Sequence, residues 1–299
     1  MRDDQARTSF DALVDEFLRT EYEMSPVMAS NLGLTDYDDR LDDLSADAFA
    51  RRDALAEGWL ARFGGVPAAG LGREELIDRD LVISVLRGRT ILADWQAWRR
   101  DPLVYSGPVL NGIFGLFLHH LRPEGELVSA AASRLRQAPA ALEAGRSNLD
   151  PALAHPLIVE RGRNAARGGV RYLRDLLPND VAAGPDRDRL VSVAGDAAEA
   201  LERWAAFLGD FGLRAHGDWR LGEDRYTGLL REREALADDA RSLRERGQAE
   251  WDRLDAEMRA LSKSARGRED WPAVLDAAKV DHPATEAAMR AAYETWTAR

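Results

Sequence analysis

The chain has 299 residues, with 41 lysines and arginines against 52 aspartates and glutamates, a formal charge of −11. An acidic surface excludes a general nucleic-acid or anionic-membrane partner, because both need a basic footprint. The absence of cysteine removes disulfides, thiolate metal ligands and a cysteine nucleophile together.

The polar start Met1-Arg2-Asp3-Asp4-Gln5 runs straight into an amphipathic segment with no apolar export region, so a cytoplasmic protein is expected. Phe10, Leu13, Val14, Phe17 and Leu18 recur at helical spacing, with Thr8 or Ser9 placed to cap the first free amides. Ser25-Pro26 opens a short second helix that Gly33 stops. The aspartate-rich run Thr35 to Asp43 lacks the spacing, central glycine and closing glutamate of a calcium loop and reads as a solvated turn. Ser45 caps a helix that carries Phe49, Leu55, Trp59, Leu60 and Phe63. The next begins near Arg73 and continues through Trp95 and Trp98 to Arg100. Pro102 to Pro108 reads as an extended connector, since proline keeps Asp101 out of the helical region. Val109 to Leu121 is apolar nearly all round, which predicts burial, and falls short of the ~20 residues of a membrane span.

A helix of small residues, Leu127 to Leu142, follows with a kink expected at Pro139, then a helical stretch from Pro151 to Leu177 interrupted at Gly168-Gly169. The turn chemistry of 178–186 makes it the best internal boundary, and Asp186 to Leu208 is a further helix. His216-Gly217-Asp218-Trp219-Arg220-Leu221-Gly222 is a polar turn leading into a proline-free helical pattern from Glu223 to about Ser262, in which Trp251, Leu254, Met258 and Leu261 form one face. Two short helices on either side of Asp281-His282-Pro283 end the chain. No strand-like alternation persists. The expectation is an all-α, elongated multi-helix bundle with one long helix in its C-terminal half, a single helical domain over 1–299 with a sub-boundary near 178–186.

The five histidines, His119, His120, His155, His216 and His282, include no pair at i and i+4 with a glutamate between, the spacing that aims two imidazoles at one ion. No metal ligand and no catalytic residue is assigned from spacing. Core packing is expected for Trp59, Trp95, Trp98, Trp204, Trp251, Trp271 and Trp296. Trp219 differs: it either folds back on its neighbours as a loop tryptophan or, with Arg220 and the amides that open a helix, makes an anion-facing ledge.

Phe10-x-x-Leu13-Val14-x-x-Phe17-Leu18, Ser25-Pro26-Val27-x-Ala29-x-x-Leu32-Gly33-Leu34-x-x-Tyr37-Asp38, Asp101-Pro102-Leu103-Val104-Tyr105 and Leu221-Gly222-Glu223-x-x-Tyr226 occur in this order. In content and order they resemble the N-terminal half of the bacterial "domain of unknown function 885" family, whose members look like helical zinc metallopeptidases. The resemblance implies a zinc segment of the His-Glu-x-x-His type in the other half, and this chain has no His-Glu dipeptide. It implies a non-catalytic helical half of a hydrolase-like protein with no cofactor of its own, zinc entering only with a complementary catalytic half. That half, or self-association, is the expected partner, together with a peptide or small acid ligand. By resemblance, Tyr105, Trp219, Arg220, Gly222 and Tyr226 would line the cleft, Arg220 pairing with a carboxylate and Tyr226 donating to an oxyanion. The alternative is a stand-alone helical binding or scaffold protein with a retained groove.

Overall fold

The computed structural model describes residues 2–280 and 282–298. Among them every regular element is helical and no strand occurs. The chain forms two compact units, Met1–Leu236 and Ala237–Arg299, where one helical body was expected. The loop at 178–186 lies inside the first unit, flanked by helices that pack on each other.

In the first unit, α1 (Arg2–Met24), α3 (Ala46–Gly64) and α4 (Arg73–Ala93) close a small core of Phe10, Phe17, Trp59, Phe63 and Leu86. Its aromatic rings meet edge to face. The larger core lies between α5 (Leu103–His119), α6 (Glu124–Asn148), α7 (Pro156–Arg171) and α8 (Pro185–Gly212), with α2 (Pro26–Asn31) against α5. Small residues on α6 and α8, such as Ala131, Ala138, Ala197 and Ala198, are fully or nearly fully buried and let these helices approach closely. Gly145 of α6 sits where a Cβ would fall 2.7 Å from both Trp204 and Tyr105. The short α9 (Glu223–Glu232) packs on α4.

Several expected boundaries move. The first helix runs back to Arg2, past the capping residues proposed at Thr8 and Ser9. Pro102 to Pro108 is no extended connector: Pro102 takes helical angles, the Asp101 carboxylate accepts from the Leu103 amide at 2.8 Å, and α5 starts there. Pro108 is carried inside the helix behind Gly107, whose missing side chain relieves the clash between a proline ring and its predecessor. The helix α6 continues through Pro139, and α7 continues through Gly168 and Gly169. A Cβ at Gly169 would meet Leu110 at 2.7 Å, so that glycine serves packing and not chain breaking.

The long helix expected from Glu223 to Ser262 is broken between Glu232 and Ala240. The carbonyls at the end of α9 are taken by amides just beyond it, Glu234 N to Leu229 O at 3.1 Å and Leu236 N to Leu230 O at 2.8 Å, while Ala235 adopts a left-handed φ of 53°. A capping box then restarts the chain: Asp239 accepts from the Ser242 amide and Ser242 Oγ accepts from the Asp239 amide. Local end-capping thus overrides a continuous apolar stripe.

The aspartate-rich run is not simply a solvated turn. Asp38 is buried, accepts from Ser30 Oγ at 2.6 Å and pairs with Arg122 at 3.1 Å. The carbonyls of Tyr37 and Arg40, with that of Gly112 in α5, receive the guanidinium of Arg134, which is 0 % exposed. Burial draws the Arg134 pKa down to about 10.

The second unit holds α10 (Ala240–Arg266), α11 (Trp271–Ala278) and α12 (Glu286–Thr297). Among its described residues Ser262 alone is buried, its hydroxyl donating to Arg268 O at 2.6 Å. Trp251 and Trp296, expected in a core, are 61 % and 70 % exposed. In the turn between α11 and α12, Asp281 lies outside the described residues.

Candidate functional site

The corner that follows α4 organises the polar chemistry of the first unit. The helix stops at Ala93, although the apolar pattern continues to Trp98, because Gln96 turns left-handed at φ 49°. A non-glycine residue in that region is strained by roughly 1 kcal/mol or more and persists only where its surroundings hold it. Here Gln96 N donates to Ala93 O, Gln96 O accepts from Arg99 N at 2.8 Å, and its side-chain oxygen accepts from Arg99 Nη1 at 3.1 Å. The corner presents Trp98 to one side and Trp95 to another.

On the Trp98 side lies a cleft of about 390 Å³ between the ends of α1, α3 and α4 and the start of α5. The Trp98 ring stacks on Phe49 with centroids 5.2 Å apart and planes 8° apart, and the Arg52 guanidinium lies over Phe49 at 5.3 Å. Leu92, Ala93, Ala56 and Val104 complete apolar walls. Glu21 and Arg89 face each other in a two-pronged ion pair at 2.9 and 2.6 Å, which neutralises both. Arg52 is only partly satisfied: Nη2 donates to Met24 O at 2.6 Å, Nε is buried without an acceptor, and Nη1 makes no bond to the protein. Burial, with Glu57 adding repulsion, holds the Asp53 carboxyl above the usual carboxylate range.

On the Trp95 side, Arg100 lies 3.8 Å and Arg225 6.0 Å from the ring centroid. Arg100 donates to the carbonyls of Trp95, Leu153 and Asp218. Desolvation first, then Arg225 and Arg99, depress its pKa. The loop before α9 is zipped to the chain at 151–154 by His216 N to Pro151 O at 2.9 Å and Gly217 N to Ala154 O at 2.8 Å. Glycine is required there, since a Cβ on Gly217 would fall 2.0 Å from the Leu153 carbonyl oxygen.

The structure brings four of the five sequence-selected residues together on this loop and α9. Trp219 is largely exposed, and Gly222, at φ 92°, opens α9 with Tyr226 one turn on, partly exposed. Arg220 closes on Asp218 through bonds of 2.8 to 3.0 Å, which hold the Asp218 carboxyl at about 2. Tyr105 is elsewhere, fully buried between Phe49 and Trp204 with its hydroxyl donating to Trp98 O. Burial pushes its pKa up to about 12. It anchors the cleft wall from behind. Arg52 and Arg134 were missed, because neither stands in a motif.

Four of the five histidine rings have local partners. His155 caps α7 by accepting from Leu157 N, and His120, His216 and His282 each place Nδ1 within 3.3 Å of a nearby carbonyl. Among the described residues no group of three or more His, Asp or Glu side chains is placed to hold a metal ion. No helix among the described residues is long and apolar enough to cross a membrane.

No functionally curated protein matches the chain. A solved structure from Shewanella oneidensis, described as "a putative lipoprotein of unknown function", matches with a TM-score of 0.71 at 18 % identity. The match covers 85 % of this chain and 48 % of that one, so the chain spans about half the length of its solved relative. At that identity the likeness shows a shared all-α fold. The sequence itself matches "Bacterial protein of unknown function (DUF885)" over residues 26–299, and the chain belongs to that family.

Proposed function

We propose that this chain is a non-catalytic helical half that docks a second helical body, of the extent left unmatched in its solved relative, to form a hydrolase-like protein. The carrying observation is the second unit: three helices and not one buried apolar side chain among its described residues. Trp251, Leu254 and Leu261 on α10 and Met289, Tyr293 and Trp296 on α12 are all exposed along helical stripes. Covering the exposed half or so of each is worth roughly 1 kcal/mol or somewhat more, so a partner that covers all six gains a substantial driving force. A like-sized helical partner is supported by the 48 % coverage of the relative. In this reading zinc, the activating carboxylate and peptide turnover belong to the other half, and the loop bearing Trp219, Arg220, Gly222 and Tyr226 contributes a wall.

The test is co-purification of this chain with the polypeptide specified by the DNA after codon 299, with hydrogen exchange along α10 and α12. A one-to-one complex that protects both helices, and that Trp251→Glu with Leu254→Glu dissolves, is expected. A chain that is protected there alone, or that buries both stripes in a homodimer, overturns the reading. A cytoplasmic placement belongs to the same reading. Cell fractionation tests it, and recovery of the chain in the envelope fraction overturns it.

A further inference from the structure

We propose that the cleft beside Trp98 binds a small monocarboxylate with an apolar, preferably aromatic, body, its carboxylate on Arg52 and its body against the Phe49–Trp98 stack. This inference does not rest on the docking reading. Arg52 lines the cleft, has no carboxylate within ion-pair distance, and leaves Nη1 without a protein partner while Nη2 is spent on the Met24 carbonyl. A guanidinium beside an apolar wall, only partly supplied with acceptors, is a ready donor to an acid.

The remaining lining fixes the ligand's charge and shape. Arg89 is consumed by Glu21, and Asp53 balances Arg52 in formal charge, so the cleft offers one guanidinium with unused donors and repels a second negative charge. The stacked Phe49 and Trp98 rings, with Leu92 and Val104, supply an apolar surface, and a volume of about 390 Å³ suits a molecule of ten to fifteen heavy atoms on the order of pocket sizes seen for small ligands. The left-handed Gln96 shapes one side of the opening, which gives its strain a use.

The test is titration calorimetry of the full chain with 3-phenylpropionate, its uncharged amide and phenylsuccinate. The acid is expected to bind about tenfold or more tighter than the amide, the net worth of a charge-assisted bond, and tighter than the dianion. Arg52→Gln should abolish the preference for acid over amide while the melting curve stays cooperative. Ala93→Phe, which fills the cleft and keeps Arg52, should abolish binding of both. Should Arg52→Gln fail to fold, Ala93→Phe and the acid-to-amide ratio of the unaltered chain decide. Equal affinity for acid and amide, no binding of the acid, or a preference that survives Arg52→Gln or Ala93→Phe overturns the proposal. Loss of partner docking leaves these titrations unchanged, so the two readings fail separately.

Discussion

Arg134 shows how much of a fold hangs on one side chain. Its three acceptors are main-chain carbonyls from the aspartate-rich run and from α5. Arg134→Met leaves all three unpaired in a dry site, and an unsatisfied buried polar group costs about 1–3 kcal/mol. A loss of about 3 kcal/mol or more is expected in urea unfolding, with Arg134→Lys in between. Asp42, bonded to the Val27 amide at 3.2 Å, has its pKa raised chiefly by burial. Protonation therefore favours the folded state: relative to Asp42→Asn, the unaltered chain should gain stability as pH falls from the raised value toward the ordinary carboxylate pKa. Melting temperatures of both proteins across that window check the sign. Ser45 as a cap and Gly33 as a left-handed stop were readable from residue type alone, and both stand as expected. Arg134 was not, because its acceptors lie far off in sequence and are carbonyls, which every residue possesses. Arg52 was hidden for the same reason, looking like any arginine on a charged helix face.

The helices themselves were legible wherever periodicity and caps agreed, and misread wherever proline or glycine was taken as punctuation. Pro108, Pro139 and Gly168-Gly169 all lie inside helices, because packing of α5, α6 and α7 against α8 and one another outweighs a lost hydrogen bond or a weak propensity. Gly169→Val should cost about 1–3 kcal/mol by driving Leu110 aside, measurable by thermal unfolding. Gly217→Ala sets a Cβ into the Leu153 carbonyl and should unzip the loop, raising hydrogen exchange at His216 and Gly217 and displacing Trp219. The opposite error occurred after α9, where an unbroken apolar stripe concealed the break. Asp239→Ala removes half the capping box and should cost α10 about 1 kcal/mol, seen as faster exchange in its first turn.

Composition and pattern gave an all-α molecule correctly, yet they could not tell that the apolar stripes of α10 and α12 would find no core among the described residues, since a stripe looks the same whether it is covered from within or from outside. The face of α5 repeats the lesson: Val109 to Leu121 was expected to be buried all round, but Phe114 and Leu118 are 52 % and 62 % exposed, and so is Leu121, at 57 %, just beyond the helix. The free chain should therefore bind a hydrophobic dye strongly, and limited proteolysis should cut first in 233–239, between the two compact units. The three coreless helices also bear on the life of the chain in a cell. On the docking reading proposed above, greasy surface without an interior is what degradation systems recognise, so copies lacking a companion would be removed quickly, and the steady amount of this protein would follow the supply of its companion more closely than its own rate of synthesis.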